Sequence, residues 1–154
     1  MTTHSPRLSR TAPAGSGEHE RRISLLRWIL GFGILSTGLH FTHNFVAIDQ
    51  YPDDLVSGTA VQVAILVFWP LFTGLALYAY RLYARRAYRQ AYPFLLAYAF
   101  FALTTLGHFL DGSLDIAPFW YATIFTDALA GLAVAAFTLA SMRSEPARRA
   151  AGQA

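Results

Sequence analysis

The chain of 154 residues has no cysteine, no lysine and few charges of either sign, 14% in all. Without thiols it has no disulfide framework, no thiolate zinc centre and no covalently attached c-type haem. Soluble domains carry about a quarter charged residues, so this composition points away from water. With lysine absent, all 12 basic residues are arginines, set against 9 acidic residues for a formal charge of +3. Nucleic-acid binding needs a basic patch on a folded surface. These arginines flank apolar segments instead, and no nucleic-acid partner is expected. Also missing are internal repeats, coiled-coil heptads, lipidation signals and the Glu-x-x-His pairs of di-iron bundles. No stretch is long enough for a separate soluble catalytic domain, so any chemistry must sit in or beside the apolar segments.

What the chain has in abundance is apolar length, with 55% hydrophobic and 15% aromatic residues. Residues 28–48, 55–80 and 90–110 carry no Asp, Glu or Arg over 21, 26 and 21 positions. Residues 116–142 form a fourth run of 27 with one charge, Asp127. A helix needs roughly 20 apolar residues, at about 1.5 Å each, to cross a bilayer core. A soluble all-α bundle would show polar faces that these runs lack. The first run is also too long for a signal-peptide core and reads as a retained helix.

The links 49–54, 81–89 and 111–115 are short, which makes successive helices antiparallel. Pro52, Pro93 and Pro118 fall at or near helix starts, Asp111-Gly112-Ser113 reads as a turn, and Trp69-Pro70 reads as a kink within the second span. The expected fold is all-α: a polytopic membrane protein, a single four-transmembrane-helix up-down-up-down bundle over residues 23–142. Its spans lie near 26–48, 57–80, 91–110 and 118–141. Residues 1–22 are expected to be a disordered tail, being rich in Ser, Thr, Pro, Ala and Gly, and residues 143–154 a second tail.

Arginine gives the direction. The first tail and helix entry hold Arg7, Arg10, Arg21, Arg22 and Arg27; the middle link holds Arg81, Arg85, Arg86 and Arg89; the last tail holds Arg143, Arg148 and Arg149. The other two links have no arginine and carry Asp49, Asp53, Asp54, Asp111 and Asp115. Positive charge is retained inside. Both termini are therefore expected to be cytoplasmic, in a multi-pass protein of the cell membrane.

A plain anchor needs no histidine in its spans, yet His40, His43 and His108 all lie there, and Asp127 lies in the fourth. Helical spacing puts Ser36, Thr37, His40, His43 and Asn44 on one stripe of the first span. Thr104, His108 and Asp111 form a second stripe, Thr123 and Asp127 a third, and Gln62 sits near the outer end of the second span. From helix rise alone all of these fall in the outer half of the bilayer, within about one turn of a common level. Lipid cannot satisfy such groups, so they are expected to face the bundle interior. An ionised Asp at a helix centre costs roughly 2.5–3.5 kcal/mol on insertion scales. Pairing of Asp127 with His40 is the contact this cost favours most.

Three kinds of chemistry fit that cluster. The first is a metal or haem site, with His40, His43, His108 and Asp127 as the ligand set for a transition metal, or histidines as axial ligands of haem b. The second is metal-free acid–base chemistry, of isomerase or cyclase type, on a lipophilic small molecule, with His40 and Asp127 catalytic. Asn44, Gln62, Thr104, Asp111 and Thr123 would support either site. The third is structural: the polar residues join helices in an anchor, a homo-oligomer or a subunit of a larger membrane complex.

Overall fold

In a computed structural model of the protein, residues 16–50, 58–109 and 116–151 are described. Four helices make up nearly all of them: α1 Ser16–Val46, α2 Gly58–Ala84, α3 Tyr88–Thr104 and α4 Pro118–Ala151. Short 3₁₀ turns follow α1 at Ile48–Gln50 and α3 at Thr105–Phe109. All four helices, α3 together with its 3₁₀ extension, are long and apolar enough to cross a membrane.

The outer boundaries differ from the sequence expectation. α1 begins at Ser16, inside the segment expected to be a tail, and α4 runs on to Ala151. The early start of α1 has a local cause. Glu18 and Arg22 form an i,i+4 ion pair at 2.6 Å, and His19 docks on the bundle at only 7% exposure. Because a carbonyl can only accept, His19 donates from Nε2 to Ala84 O at 3.2 Å, and its Nδ1 accepts from the Tyr88 hydroxyl at 2.9 Å. The expected disorder of residues 1–15 lies outside the described residues.

At this end of the bundle the core is apolar. Leu26, Leu30, Ala76, Ala79, Tyr83, Ala91, Leu95, Ala99 and Val134 are buried together. Alanines on α2 and α3 let the helices approach closely, and Gly131 on α4 does the same. A methyl group there would stand 2.9 Å from Ala99 O and 3.0 Å from Ala102 Cβ. Polar contacts bring the start of α1, the end of α2, the start of α3 and the end of α4 to one level. Besides the His19 bonds, Ser141 Oγ lies 3.2 Å from the Tyr83 hydroxyl and accepts from Arg22 Nη1 at 3.3 Å.

α2 stops in a Schellman turn, with Arg86 N–H donating to Tyr83 O and Ala87 N–H to Leu82 O, both at 2.9 Å. Arg86 occupies the left-handed position of that turn at φ 62°, where glycine is usual.

The opposite end is built differently. Ser36, Thr37, His40, His43 and Asn44 of α1, Thr105 after α3, and Thr123 and Asp127 of α4 are all buried. Gln62 Nε2 donates to Phe45 O at 2.8 Å and ties the start of α2 to the end of α1. α2 is otherwise the most peripheral helix. Only 6% of its most apolar window is buried, against 50% for α4.

Candidate functional site

The site begins with the register of α1. Thr37, His40 and Asn44 follow at i, i+3 and i+7, which keeps them on one face. All three are under 9% exposed, with His40 at 1%. α4 presents Asp127, 2% exposed, to the same point. His40 Nδ1 lies 3.1 Å from Asp127 Oδ2, and the Thr37 hydroxyl donates to Asp127 Oδ1 at 2.6 Å. A carboxylate only accepts, so His40 carries its proton on Nδ1 and turns Nε2 the other way.

α3 completes the arrangement through its 3₁₀ turn. At three residues per turn, positions i and i+3 eclipse one another, so Thr105 and His108 share a face. Both reach His40: Thr105 Oγ1 lies 3.0 Å from His40 Nδ1, and His108 Nε2 lies 3.2 Å from His40 Nε2. Between Thr104 and His108 the α-helical spacing expected of that stripe is lost, because the helix tightens at Thr105; Asp111, its third member, lies outside the described residues. Thr104 is exposed and returns its hydroxyl to Phe101 O at 2.7 Å. Thr105, which the sequence reading passed over, takes the interior place. The signal for the change was local: a Thr-Thr pair, Gly107 and the Asp-Gly turn soon after leave little to sustain an α-helix.

Asn44 closes the group. Its Nδ2 lies 3.2 Å from His40 Nε2 and 3.4 Å from His108 Nε2, while its buried Oδ1 has no hydrogen-bond partner among the described residues. Three nitrogens therefore stand at the corners of a small triangle. One edge joins two imidazole Nε2 atoms, which attract only when a proton or a cation lies between them.

The remaining expected residues have other surroundings where they are described. His43 is buried, and its ring stacks on Trp120 at a centroid distance of 4.2 Å. Thr123 is buried but donates to Trp120 O, one turn back in its own helix. Gln62 joins α2 to α1 as described above, and Asp111 lies outside the described residues. His40, His108 and Asp127 thus meet, while the His43 ring packs on Trp120. Among the described residues no three His, Asp or Glu side chains converge as one metal-ligand group.

A cavity of about 140 Å³ opens beside the cluster, bordered by His40, His108 and Asp127 and walled by Phe72, Tyr98 and Phe101. Chemically, the arrangement offers an oriented imidazole, a second imidazole facing it, a buried carboxylate and an aromatic chamber. No family model, curated protein or solved structure matches this chain. Functional assignment therefore starts from these atoms.

Proposed function

We propose that this chain is a four-span, up-down-up-down protein of the cell membrane, and that its His40–His108 pair binds one transition-metal ion in the outer half of the bilayer. The one-sided arginines and the aspartates of the opposite links support cytoplasmic termini.

The observation that carries the metal reading is the nitrogen triangle, with edges of 3.2, 3.2 and 3.4 Å. Metal–nitrogen bonds of about 2.0–2.1 Å in a tetrahedral site put neighbouring ligand atoms about 3.3 Å apart. His40 and His108 would bind through Nε2, and Asn44 through its amide oxygen, since the two ends of an amide are interchangeable by a half-turn. Asp127 does not join this ligand set. It holds the far nitrogen of His40, as carboxylates commonly do behind a ligating histidine. A remaining position open toward the cavity would accept water or a small molecule. Two imidazoles and an amide oxygen suit zinc, copper, nickel or iron.

Haem b fits less well. Axial nitrogens on opposite sides of one iron stand about 4 Å apart, twice a metal–nitrogen bond; the gap here is 3.2 Å and the adjoining space about 140 Å³.

Metal analysis of protein purified in detergent from metal-replete cells tests this. One metal per chain is expected, lost in both His40→Ala and His108→Ala and bound about 10- to 100-fold more weakly in Asp127→Asn. Metal-free wild type that takes up none on titration with zinc, copper, nickel or ferrous iron would overturn it.

The aromatic chamber favours a second reading, metal-free acid–base chemistry on a lipophilic molecule. There Asp127 and His40 would hold and move the proton that His108 passes to or takes from a ligand in the cavity. A metal-free protein that retains a lipid, released on Asp127→Asn, is the outcome that selects it.

A further inference from the structure

A second opening lies on the outside of the bundle, between α1 and α2. It is a groove of about 380 Å³ bordered by Gly38, Phe41, Phe45, Leu66, Trp69 and Pro70. Its walls are almost wholly apolar, which in a membrane is unremarkable. Thr42 also borders it, but its hydroxyl is already engaged, donating to Gly38 O at 2.7 Å; two other polar groups of the lining residues are not so engaged.

Pro70 lies in the interior of α2. Proline has no N–H, so the carbonyl four residues back, that of Leu66, receives no helical hydrogen bond. Trp69 contributes an indole N–H. It makes no hydrogen bond to any described residue, and its ring lies across Gly38 of α1, where a methyl group would stand 3.3 Å from the ring and 3.4 Å from Nε1. Trp69 stands eleven residues beyond Gly58, roughly 16 Å along the helix from the start of α2. That is near the middle of the bilayer, where no water reaches and each unsatisfied backbone polar group costs several kcal/mol in hydrocarbon. Leu66, which carries the acceptor, and Trp69, which carries the donor, both border the one groove, and a ligand there could supply both complements.

We propose that the α1–α2 groove binds an uncharged lipophilic alcohol or phenol drawn sideways from the bilayer, its hydroxyl donating to Leu66 O and accepting from Trp69 Nε1. A hydroxyl is the smallest group that does both. A charged headgroup is excluded by the absence of any ionisable side chain around the groove. Gly38 leaves room for the indole, and Phe41 borders both this groove and the inner cavity. The inference does not depend on what His40 and His108 bind.

The test uses the full chain in phosphatidylcholine nanodiscs, measuring how radiolabelled farnesol distributes between loaded and empty discs. Competition compares unlabelled farnesol with farnesene, of similar skeleton but without the hydroxyl. Saturable binding is expected, with farnesol competing at least tenfold better than farnesene.

Trp69→Phe removes the donor, and Pro70→Ala restores a helical partner to Leu66 O; each should weaken binding about five- to tenfold. Pro70→Ala is informative even if Trp69→Phe disturbs packing, because it favours the helix. Gly38→Leu should abolish binding by filling the groove. Leu132→Ala, on the exposed face of α4 away from the groove, should leave binding unchanged. Equal competition by farnesene, unchanged binding in Pro70→Ala, or loss in Leu132→Ala would each overturn the assignment.

Discussion

The two ends of this bundle solve the same packing problem with opposite materials. At the arginine-rich end the helices close mainly on alanine, leucine and tyrosine, with His19, Thr138 and Ser141 as the buried polar residues among them. At the other end the same helices close on histidine, threonine, asparagine and aspartate. In a bilayer, apolar surface gains little from leaving lipid, so close approach and hydrogen bonding hold helices together. The arginine end uses close approach. The aspartate end uses hydrogen bonds, each of which leaves an unpaired group if broken. The first arrangement tolerates change in small steps, and the second fails as a unit. A protein that needed only to stay in the membrane would have no reason to prefer the second.

The sharpest way to break the contrast is to remove one member of the polar cluster. His40→Leu leaves the Asp127 carboxylate buried with Thr37 as its remaining side-chain donor, and a cost of about 3 kcal/mol or more is expected in detergent unfolding. Asp127→Leu should cost less, because the imidazole it strands keeps the Thr105 hydroxyl beside it. The double variant should be more stable than the sum of the two losses implies. Strict additivity would show that the pair is not coupled.

At the alanine end, Gly131→Leu forces α4 away from the Ala99 carbonyl, with an expected loss of about 1–3 kcal/mol by the same measurement. A smaller effect sharpens the register of the 3₁₀ turn. Thr105→Val should lower stability by about 1 kcal/mol, and Thr104→Val by less than about 0.5 kcal/mol. The reverse order would restore the α-helical stripe expected from spacing. One change is a gain: Arg86→Gly should add about 1 kcal/mol by relieving the left-handed position in the turn after α2.

Much of this was legible in the residues, and what escaped has physical reasons. Three charge-free runs and one run with a single charge located four apolar helices, because their length leaves few other fates. The stripe on α1 was legible because α-helical spacing holds through Thr37, His40 and Asn44, and the isolated charge of Asp127 pointed to its partner. Thr105 was missed because a change from 3.6 to 3 residues per turn moves every later side chain by a large angle, and no single residue announces it. His43 was expected with His40 because i, i+3 neighbours share a helix side, but a 60° offset was enough for Trp120 to take it. His19 was misread because its segment is compositionally a tail. Its partners, Ala84 and Tyr88, lie more than 60 positions away in sequence.

His19 and His40 belong to one helix and lie roughly 31 Å apart along it. Each is fastened to other helices, one at the alanine end and one at the aspartate end. α1 therefore behaves as a rod pinned at two points, unable to slide by even one residue without unseating both. Whatever loosens the His19 anchorage alters the axial position of His40, so a disturbance at one face of the membrane is felt at the other without any bond being broken between them.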